Sequence, residues 1–342
     1  MIRKTLKNSF IIISIVCMTF LLSMAAFKYL GAEFTTSQTS MHQLNSNQEI
    51  IYDYIEEKTF GIDVSKYQGN IDWSKVKQSG VEFAMIRVGF RGYEDGRIHI
   101  DEFFEKNIQG AINNDIQIGI YFYSSAKSEK EATEEAKWVV NKINPYKEYI
   151  SYPVAFDLED FNKYRLKGIN NARLSKNAEA FLKYIEKNGY TPIIYSCNLP
   201  LKNIWSKKIK EKYKTWLAQY DNNIDLKYDM LQYTSKGKID GIKGNVDLNY
   251  ANFKFIKRIV DVNDPNEQII KKITIIPTND YVITKTFANF RKAPTFELDN
   301  TLTESLQPNT KLKRLGTTDN DWSKVEYNGQ IGYIYNYYLR KQ

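Results

Sequence analysis

Eight short apolar runs between residues 60 and 249 constrain the fold of this 342-residue chain more than any other feature. They cover residues 60–64, 83–88, 117–122, 154–158, 192–195, 215–218, 230–233 and 246–249. Amphipathic stretches, such as residues 129–144 and 174–188, separate the first five runs, whereas the last strands follow one another closely. Short buried strands that alternate with helices are typical of a parallel sheet that can close into a barrel. The pattern therefore predicts an α/β fold with a βα barrel.

The segment before this region differs from it in composition. Basic residues near the N-terminus precede an uncharged run over residues 9–27, which is the pattern of a secretion signal and is nearly long enough to span a bilayer. Residues 1–30 are therefore predicted to be a signal peptide or a membrane anchor, with the rest of the chain outside the cytoplasmic membrane. Residues 31–57 are rich in Thr, Ser, Gln and Asn and are interpreted as a polar tether before a barrel over residues 58–256.

The pattern changes again after the barrel. Residues 261–267 combine Asp, Asn and Pro, so residues 257–280 are interpreted as a linker. From residue 281 onwards the chain has short β-rich runs separated by turn signals. Asn328 and Gly329 lie between alternating apolar residues, which is a strong signal for a β-hairpin. Residues 281–342 are therefore predicted to form a small all-β domain.

The residue types present exclude several kinds of active site. The two histidines, His42 and His99, are isolated, and the two cysteines are Cys17 in the N-terminal apolar run and Cys197. These residues cannot build a Ser-His-Asp site, a disulfide framework or a metal cluster, so we expect no metal and no cofactor. The net charge is +8, but the lysine-rich stretch over residues 202–214 is interpreted as a solvated helix face. No nucleic-acid-binding module accompanies it, and no nucleic-acid partner is expected.

Carboxylates stand at the ends of three of the predicted strands. Asp63 ends the first run, Asp157 and Glu159 end the fourth, and Asp247 lies in the last. Working residues of a βα barrel lie at the carboxyl ends of its strands, and strand residues two apart share a face. These acids are therefore expected to converge, and their repulsion would raise the pKa of at least one of them. A proton donor with a second carboxyl group beside it is what glycosidic cleavage requires.

An ordered series of motifs over roughly residues 60–253 resembles glycoside hydrolase family 25, the muramidases of phages and bacteria. The motifs are Asp63-Val-Ser-Lys-Tyr-Gln-Gly69, Ile71-Asp-Trp73, Phe83-Ala-Met-Ile-Arg87-Val-Gly89, Gly119-Ile-Tyr-Phe-Tyr123, Phe156-Asp-Leu-Glu159, Trp216-Leu-Ala-Gln-Tyr220, Gln232-Tyr233 and Gly244-Asn-Val-Asp247-Leu-Asn249. The resemblance implies an irregular, flattened (β/α)5(β)3 barrel of the TIM type. It also implies cleavage of the β-1,4 bond between N-acetylmuramic acid and N-acetylglucosamine in peptidoglycan glycan strands.

The resemblance also implies catalytic roles for the four acids. Glu159 corresponds to the proton donor of the family. Asp157 corresponds to its partner acid, which can act by steering the N-acetyl group of the substrate. Asp63 and Asp247 match two further acids that position the substrate and tune the charge of the pocket.

Five further residues are expected to bind the substrate. Tyr121, Tyr123, Trp216 and Gln232 would line the groove, because sugar faces stack on aromatic rings and sugar hydroxyls need fixed polar partners. Arg87 would bind an anionic group of the wall. One departure from the family lies between the two tyrosines, at residue 122, where this chain has Phe and many relatives carry His.

The C-terminal region resembles a bacterial SH3 domain. The residues that carry this resemblance are Ala288-Asn-Phe290-Arg-Lys-Ala-Pro294, Leu315-Gly316, Trp322-Ser-Lys-Val-Glu-Tyr327, Gly332-Tyr-Ile-Tyr335 and Tyr338-Leu339. The resemblance implies a small SH3-like barrel that binds wall peptide and holds the enzyme at its substrate.

The predicted location is extracellular, either secreted or anchored to the outer face of the cytoplasmic membrane, and associated with the cell wall. The membrane is a partner only if the N-terminal segment stays uncleaved. Two other functions remain open at this point. One is a non-catalytic wall-binding scaffold, and the other is a barrel hydrolase for another N-acetylated glycan such as chitin.

Overall fold

The computed structural model describes residues 46–221, 223–303 and 305–342. The predicted signal peptide or anchor over residues 1–30 and most of the predicted tether lie outside these residues. Within the described ranges, no helix is both long enough and apolar enough to cross a membrane.

Strands and helices alternate through the first two thirds of the described chain. The strands are β1 Gln48–Ile55, β2 Thr59–Val64, β3 Phe83–Arg91, β4 Ile98–Ile100, β5 Gln117–Tyr123, β6 Ile150–Asp157, β7 Pro192–Cys197, β8 Lys214–Ala218, β9 Met230–Gly237, β10 Val246–Ala251, β11 Lys254–Asp261, β12 Ile275–Thr284, β13 Lys311–Thr318, β14 Trp322–Tyr327, β15 Gln330–Tyr335 and β16 Leu339–Lys341. The α-helices are α1 Trp73–Gln78, α2 Phe104–Asn113, α3 Glu129–Ile143, α4 Asn171–Lys187, α5 Asn198–Asn203, α6 Lys207–Lys212 and α7 Pro265–Ile270.

The predicted barrel is confirmed. Strands β2, β3, β5, β6, β7, β8, β9 and β10 pair in that order, and β10 pairs back to β2 to close the ring. Neighbours are parallel from β2 to β9, whereas β10 is antiparallel to both β9 and β2. Each predicted apolar run overlaps one of these strands. The helices α1 to α6 lie in the connections between the first six barrel strands, and β8, β9 and β10 follow one another without an α-helix between them.

Strands of this barrel are buried on both faces, which explains their almost continuous apolar sequences. Large side chains fill the interior, and the largest of them are Phe83, Tyr152, Trp216, Met230 and Phe253. A second core lies between the barrel and the helices. Both faces of each strand therefore contribute to stability, because each removes apolar surface from water.

Helix α4 shows how the outer core forms. Its N-cap residue Asn170 accepts a hydrogen bond from the backbone N–H of Arg173 at 2.9 Å, which fixes the start of the helix. Its buried apolar residues recur at helical spacing, so they share one face: Leu174, Ala178, Phe181, Leu182 and Ile185. On that face Phe181 packs against Phe156, with 5.2 Å between the ring centroids. Packing of this apolar face therefore holds the helix on the barrel.

An antiparallel ribbon departs from the sequence prediction. The sequence predicts a tether over residues 31–57 and a linker over residues 257–280, but β1 pairs with β11 along its full length, from Gln48 opposite Asp261 to Ile55 opposite Lys254. Helix α7 and most of β12 occupy the rest of the predicted linker. The Asp-rich residues do form turns there, since Asp264 caps α7. The pairing was not visible in the sequence because the two strands lie about 200 residues apart.

The C-terminal region is all-β, as predicted. Five strands pair in the order β15, β14, β13, β12 and β16 around a core that includes Val282, Phe290, Leu312, Val325 and Ile334. The predicted hairpin joins β14 to β15, and its turn residues Asn328 and Gly329 have φ angles of 51° and 75°. Asn and Gly tolerate this left-handed conformation best, which explains the turn.

Buried ion pairs join the ribbon to the C-terminal sheet. The carboxylate of Asp53 on β1 is 8% exposed and accepts hydrogen bonds from Lys324 Nζ on β14 at 2.6 Å and from Arg258 Nε on β11 at 2.5 Å. Arg258 Nη1 also donates to Glu267 on α7 at 2.8 Å. Burial alone would raise the pKa of Asp53, but the two cations outweigh it and hold that pKa below its usual value.

We predict that Asp53→Asn lowers the free energy of unfolding by about 3 kcal/mol or more, because Lys324 stays buried without its counter-charge and Arg258 keeps only its pair with Glu267. Urea denaturation measures this. The control is Glu49→Gln on the same strand, which breaks an exposed pair with Lys271 and should cost less than about 1 kcal/mol. Because the pKa of Asp53 is depressed in the folded state, the difference in free energy of unfolding between wild type and Asp53→Asn is fully present above the unfolded-state pKa of an aspartate. This difference disappears as pH falls through the folded-state pKa. Equal losses for both variants would contradict a buried ion cluster.

Candidate active site

The reversed direction of β10 brings the last acid to the rim. The parallel strands all end at one edge of the barrel, and an antiparallel strand begins at that edge. Asp247, the second residue of β10, pairs directly opposite Asp63 near the end of β2. The sequence argument relied on the carboxyl ends of strands, and Asp247 reaches the same rim from the start of its strand.

The structure brings the predicted site residues together. They line one cavity of about 580 Å³ at this edge: Asp63, Arg87, Tyr121, Tyr123, Asp157, Glu159, Trp216, Gln232 and Asp247. Side chains that the sequence analysis did not select also line it, including Tyr67, Gln68, Phe90, Tyr93, Tyr195 and Tyr220. Barrel geometry accounts for this convergence, because the strands point one edge of the barrel at a common cavity and the residues lie in their rim halves or just beyond, except Gln232 and Asp247, which lie near the starts of their strands.

Asp63 is the centre of a hydrogen-bond network. Its Oδ2 accepts hydrogen bonds from Asn249 Nδ2 at 2.7 Å and from Gln232 Nε2 at 2.9 Å. Trp216 Nε1 donates to the Oδ1 of the same asparagine at 2.8 Å. Tyr195 donates its hydroxyl hydrogen to Gln232 Oε1 at 3.1 Å. Strands β2, β7, β8, β9 and β10 therefore fix the position of one carboxyl group.

Burial and neighbouring charge raise the pKa of Asp63 to about 8. Removal from water is the largest cause, and the negative charges of Asp247 and Glu159 add to it, whereas the hydrogen bonds from Asn249 and Gln232 oppose it. The side chain is only 6% exposed. This carboxyl group can therefore hold a proton at neutral pH.

Asp157 and Glu159 differ in their access to the groove. Asp157 ends β6 and is only 4% exposed, and its Oδ1 has no hydrogen-bond partner in the part of the chain that the structure describes. Glu159 lies two residues further along and is exposed at the mouth of the cavity. A substrate in the groove can touch Glu159 directly, whereas Asp157 is almost fully buried at the floor.

The pKa values of these two acids are also raised. Burial is the largest cause for Asp157, whose pKa lies well above its usual value, and repulsion from Glu159 and Asp63 adds to it. The cavity walls partly desolvate Glu159, and repulsion from Asp160 and Asp247 raises its pKa further. The two carboxyl groups also repel each other electrostatically. Because the two groups interact, they titrate as a pair that retains a proton above the usual pH range.

Aromatic side chains of the cavity divide into a floor and a rim. Trp216 is 1% exposed and packs edge-on against Tyr195 at 4.8 Å and Tyr121 at 6.2 Å between ring centroids, so it belongs to the floor. Tyr123 is half-buried, and its hydroxyl donates a hydrogen bond to Asp160. Phe122 points away from the cavity into the outer core, where it is fully buried. The departure from the family at this position therefore affects packing, and the cavity keeps its lining.

Arg87 has a charged partner beside the cavity. Its Nε donates to Asp101 Oδ2 at 2.7 Å, and its Nη2 lies 2.7 Å from the same oxygen. The guanidinium group also lies 5.1 Å from the ring centroid of Tyr67. These contacts hold Arg87 in place, so its positive charge partly offsets the carboxylates, as its lowering effect on the pKa values of Asp157 and Glu159 indicates.

Three missed residues had a sequence signal. Tyr195 lies near the end of the fifth apolar run, Tyr220 lies two residues beyond the sixth, and Asn249 ends the last. The strand-end rule that selected the acids applies equally to them. Tyr220 donates its hydroxyl hydrogen to Gln232 Oε1 at 2.7 Å and is 56% exposed, so one end of its side chain is fixed while its ring faces the groove.

No group of three or more His, Cys, Asp or Glu residues within the described ranges has the arrangement of a metal site. The chemistry that the described cavity can support is acid–base chemistry by carboxyl groups, with aromatic and amide side chains available to hold a ligand.

We predict that Asn249→Ala lowers the free energy of unfolding by about 1–3 kcal/mol, because it leaves Trp216 Nε1 buried without an acceptor. It also removes a hydrogen bond that lowers the pKa of Asp63. Chemical denaturation measures the loss. The control is Asn252→Ala, an exposed side chain that donates to the carbonyl of Tyr228 at 3.2 Å and should cost no more than about 0.5 kcal/mol. Equal losses of stability in Asn249→Ala and Asn252→Ala would contradict a stabilising role for this hydrogen-bond network.

Comparisons with known proteins find relatives in sequence and in structure. The chain is 29% identical over 191 residues to the autolytic lysozyme of Clostridium acetobutylicum, covering 55% of this chain and 54% of that protein. It therefore spans about half the length of that relative. The modular autolysin LytC from Streptococcus pneumoniae, solved in complex with a synthetic peptidoglycan ligand, is 25% identical with a TM-score of 0.51, covering 56% of this chain and 46% of LytC.

A third likeness concerns the fold alone. The Clostridium perfringens spore cortex lytic enzyme SleM is 15% identical with a TM-score of 0.50, covering 83% of this chain and 98% of SleM. Among family models, the bacterial SH3 domain matches residues 286–340. The model described as glycosyl hydrolases family 25 matches residues 62–242, just over half of the chain and the part that carries every acid of the cavity except Asp247. The chain belongs to glycosyl hydrolases family 25.

Proposed function

We propose that this chain is a peptidoglycan hydrolase that cleaves the β-1,4 bond between N-acetylmuramic acid and N-acetylglucosamine. The observation that carries the proposal is the convergence of Asp63, Asp157, Glu159 and Asp247 in one cavity with raised pKa values. Family membership supports glycoside hydrolysis. The name of the Clostridium relative and the ligand of the LytC structure support peptidoglycan as the substrate.

Glu159 is the general acid in this proposal. It is the more exposed member of the Asp157–Glu159 pair, so it can approach the glycosidic oxygen of a bound strand. Its raised pKa favours the protonated form to a higher pH than for an ordinary glutamate, and transfer of that proton lets the leaving sugar depart as an alcohol. Activity should therefore decline as pH rises through the pKa of the pair.

Asp157 is the partner carboxylate. Asp157 lines the cavity, so its carboxylate can accept the N–H of the substrate's acetamido group and steer it towards the anomeric carbon. The developing positive charge on the sugar ring then lies beside a negative group, which stabilises an oxocarbenium-like transition state. Asp63 and Asp247 position the sugar, and the negative charge of Asp247 raises the pKa of Glu159.

Substrate binding falls to the remaining cavity residues. The proposed contacts are the exposed edges of Tyr121 and Tyr123 for the sugar faces and Gln232 for a hydroxyl group, with Trp216 supporting them from the floor. Arg87 would attract an anionic wall group, such as a carboxylate, while it stays paired with Asp101. Binding of wall peptide by the C-terminal region is part of the same proposal.

We place this enzyme outside the cytoplasmic membrane and in association with the cell wall. The basis is its proposed substrate, which is a wall polymer, together with the N-terminal signal or anchor pattern. A non-catalytic scaffold would have no need for a buried carboxyl group with a raised pKa beside an exposed one, so we favour the enzyme. The products of the experiment described below distinguish a chitin-type substrate from peptidoglycan.

We predict that Glu159→Gln keeps the fold but lowers the rate of peptidoglycan clearance by roughly 10²–10⁴-fold, because glutamine cannot transfer the proton. Clearance is followed as loss of turbidity of purified peptidoglycan, with mass spectrometry of the released ends. The control is Glu211→Gln on the exposed face of α6, which should clear at the wild-type rate.

The products test the bond itself. A muramidase leaves N-acetylmuramic acid at each new reducing end. New N-acetylglucosamine reducing ends would refute the assignment of the bond, and cleavage of chitin in preference to peptidoglycan would refute the assignment of the substrate. Near wild-type clearance by Glu159→Gln would remove Glu159 from the mechanism.

A second prediction concerns the C-terminal region. Deleting residues 281–342 should reduce the fraction of protein that pellets with purified walls, because a second attachment point raises the local concentration of the first. The deletion also removes Lys324, so the barrel should melt at a lower temperature than in the full chain. Below that temperature, turnover of soluble glycan fragments should stay close to that of the full chain. Unchanged pelleting would contradict the wall-binding role.

A further inference from the structure

An exposed pair of tyrosines lies beside the proposed active site. The rings of Tyr93 and Tyr164 have centroids 4.4 Å apart and an interplanar angle of 31°. Tyr93 lines the same cavity as Glu159 and is 44% exposed, and Tyr164 extends beyond the cavity and is 59% exposed. Burial of large apolar faces would stabilise the fold, and these two rings remain exposed. Their fixed exposure beside a cavity therefore points to a role in binding.

We propose that Tyr93 and Tyr164 form a sugar-binding subsite, on which a further pyranose of the same glycan strand stacks outside the catalytic cavity. The proposal rests on the proposed function, since it assigns an extended glycan as the substrate. Four features of the structure support it, namely the rigidity of each loop, backbone strain at Tyr164, the connection between the loops and continuity with the cavity.

The turn that carries Tyr93 is held from both sides. It connects β3 to β4, and the Gly92 N–H donates to the Arg97 carbonyl at 2.8 Å. The carbonyl of Gly96 accepts a hydrogen bond from Arg91 Nη1 at 2.7 Å. Arg91 itself is 4% exposed and pairs with the buried Glu135 at 2.6 Å. The position of Tyr93 is therefore fixed by a buried ion pair directly before the turn.

The residues after Tyr164 anchor the second loop. Arg165 pairs with Glu131 on α3 through two contacts of 3.0 and 3.1 Å and donates to the Ser125 carbonyl at 2.8 Å. Leu166 is 1% exposed. The two residues after Tyr164 thus point inwards and are tightly held, while its own ring points to solvent.

The backbone at Tyr164 is strained. Its φ angle is 45°, and Asn162 two residues before it has a φ angle of 56°. Asparagine adopts the left-handed region with some ease, but for a tyrosine the Cβ makes this region unfavourable. Strain of this kind persists where the surrounding structure imposes it, and it clusters at ligand sites. Here the strained backbone conformation places the ring of Tyr164 against that of Tyr93 and keeps it out of the core.

The two loops contact each other and the cavity wall. A Cβ placed on Gly96 would lie 3.0 Å from the guanidinium of Arg165, so the turn of Tyr93 lies directly against the loop of Tyr164. The loop of Tyr164 is also tied to the cavity, because the hydroxyl of Tyr123 donates a hydrogen bond to Asp160. The pair is therefore a rigid extension of the cavity.

A pyranose is the occupant that this surface fits. The C–H face of a sugar ring packs on an aromatic ring, and continuity with a cavity of carboxylates and tyrosines places the next unit of a bound strand there. Neither tyrosine hydroxyl has a hydrogen-bond partner among the described residues, so each can bond to a sugar hydroxyl. A wall peptide and a second copy of this chain are the other possible occupants, and the experiment separates them.

The test measures binding and cleavage as a function of glycan length. Tyr164→Gly is the informative variant, because glycine accepts a φ of 45° and the substitution removes the ring without adding strain. Tyr164→Phe keeps the ring and should retain most of the binding. Phe287→Ala removes an exposed aromatic ring from the C-terminal region and is the matched control on peptide-free glycan.

Binding is measured by calorimetry in a Glu159→Gln background with peptide-free glycan fragments of graded length from peptidoglycan. An aromatic stacking contact of about 0.5–1.5 kcal/mol corresponds to roughly a two- to twelvefold change in Kd. Tyr164→Gly should weaken binding of long fragments by this factor, with a smaller loss as the fragment shortens. In the active enzyme the same loss should fall on KM rather than on kcat.

The possible results decide the question. A loss that does not depend on fragment length, or no loss at all, overturns the subsite. A length-dependent loss of binding that occurs only when the stem peptide is attached would show that the tyrosine pair binds peptide. This result would also overturn the sugar subsite. Concentration-dependent dimerisation that Tyr164→Gly abolishes assigns it to a second copy. If chitin fragments bind with this length dependence while peptidoglycan is neither bound nor cleaved, the sugar subsite stands and the proposed substrate fails.

Discussion

The hydrogen bonds to Asp63 link the closure of the barrel to its chemistry. Asp63 lies on β2, Gln232 on β9 and Asn249 on β10, which are the strands at which the ring closes. One buried carboxyl group therefore joins the first barrel strand to the last two. A carboxyl group buried there would be costly without these partners, and with them it is held at the rim beside the other acids. Closure of the ring and assembly of the acid cluster depend on the same contacts.

A second buried carboxylate, Asp53, plays a comparable structural part at the ribbon. Its bonds to Arg258 and Lys324 connect β1, β11 and the C-terminal sheet. Phe253 stacks on Tyr54 and Phe255 packs edge-on against it, and both phenylalanines pack into the barrel interior. The C-terminal region is therefore attached to the barrel by charge and packing as well as by the chain. A wall-binding region attached in this way would present the barrel to the wall in a restricted set of orientations.

The acids of the cavity differ in burial and in access to the groove. Asp157 and Asp63 are almost fully buried, whereas Glu159 faces the groove, so their shared repulsion acts on groups with different contact to substrate. The rim tyrosines extend the surface beyond this cluster, and the strained backbone at Tyr164 shows that the fold accepts a cost to keep one of them there. In the proposed function, the carboxyl groups for the chemistry and the aromatic rings for the glycan strand lie at one edge of the barrel.

The sequence by itself determined the strands and the acids. Apolar runs of strand length place Asp63 and Asp157 at strand ends, and the two-residue spacing of Asp157 and Glu159 keeps both at the rim, because these periodicities are local properties of the chain. Only the tertiary structure decided the reversal of β10, the β1–β11 ribbon and the pairing of Tyr93 with Tyr164. Each joins residues far apart in sequence, such as Asp53 and Lys324, which are 271 residues apart. No local sequence pattern predicts such a contact. It contributes to stability only after packing has brought both partners together and removed them from water.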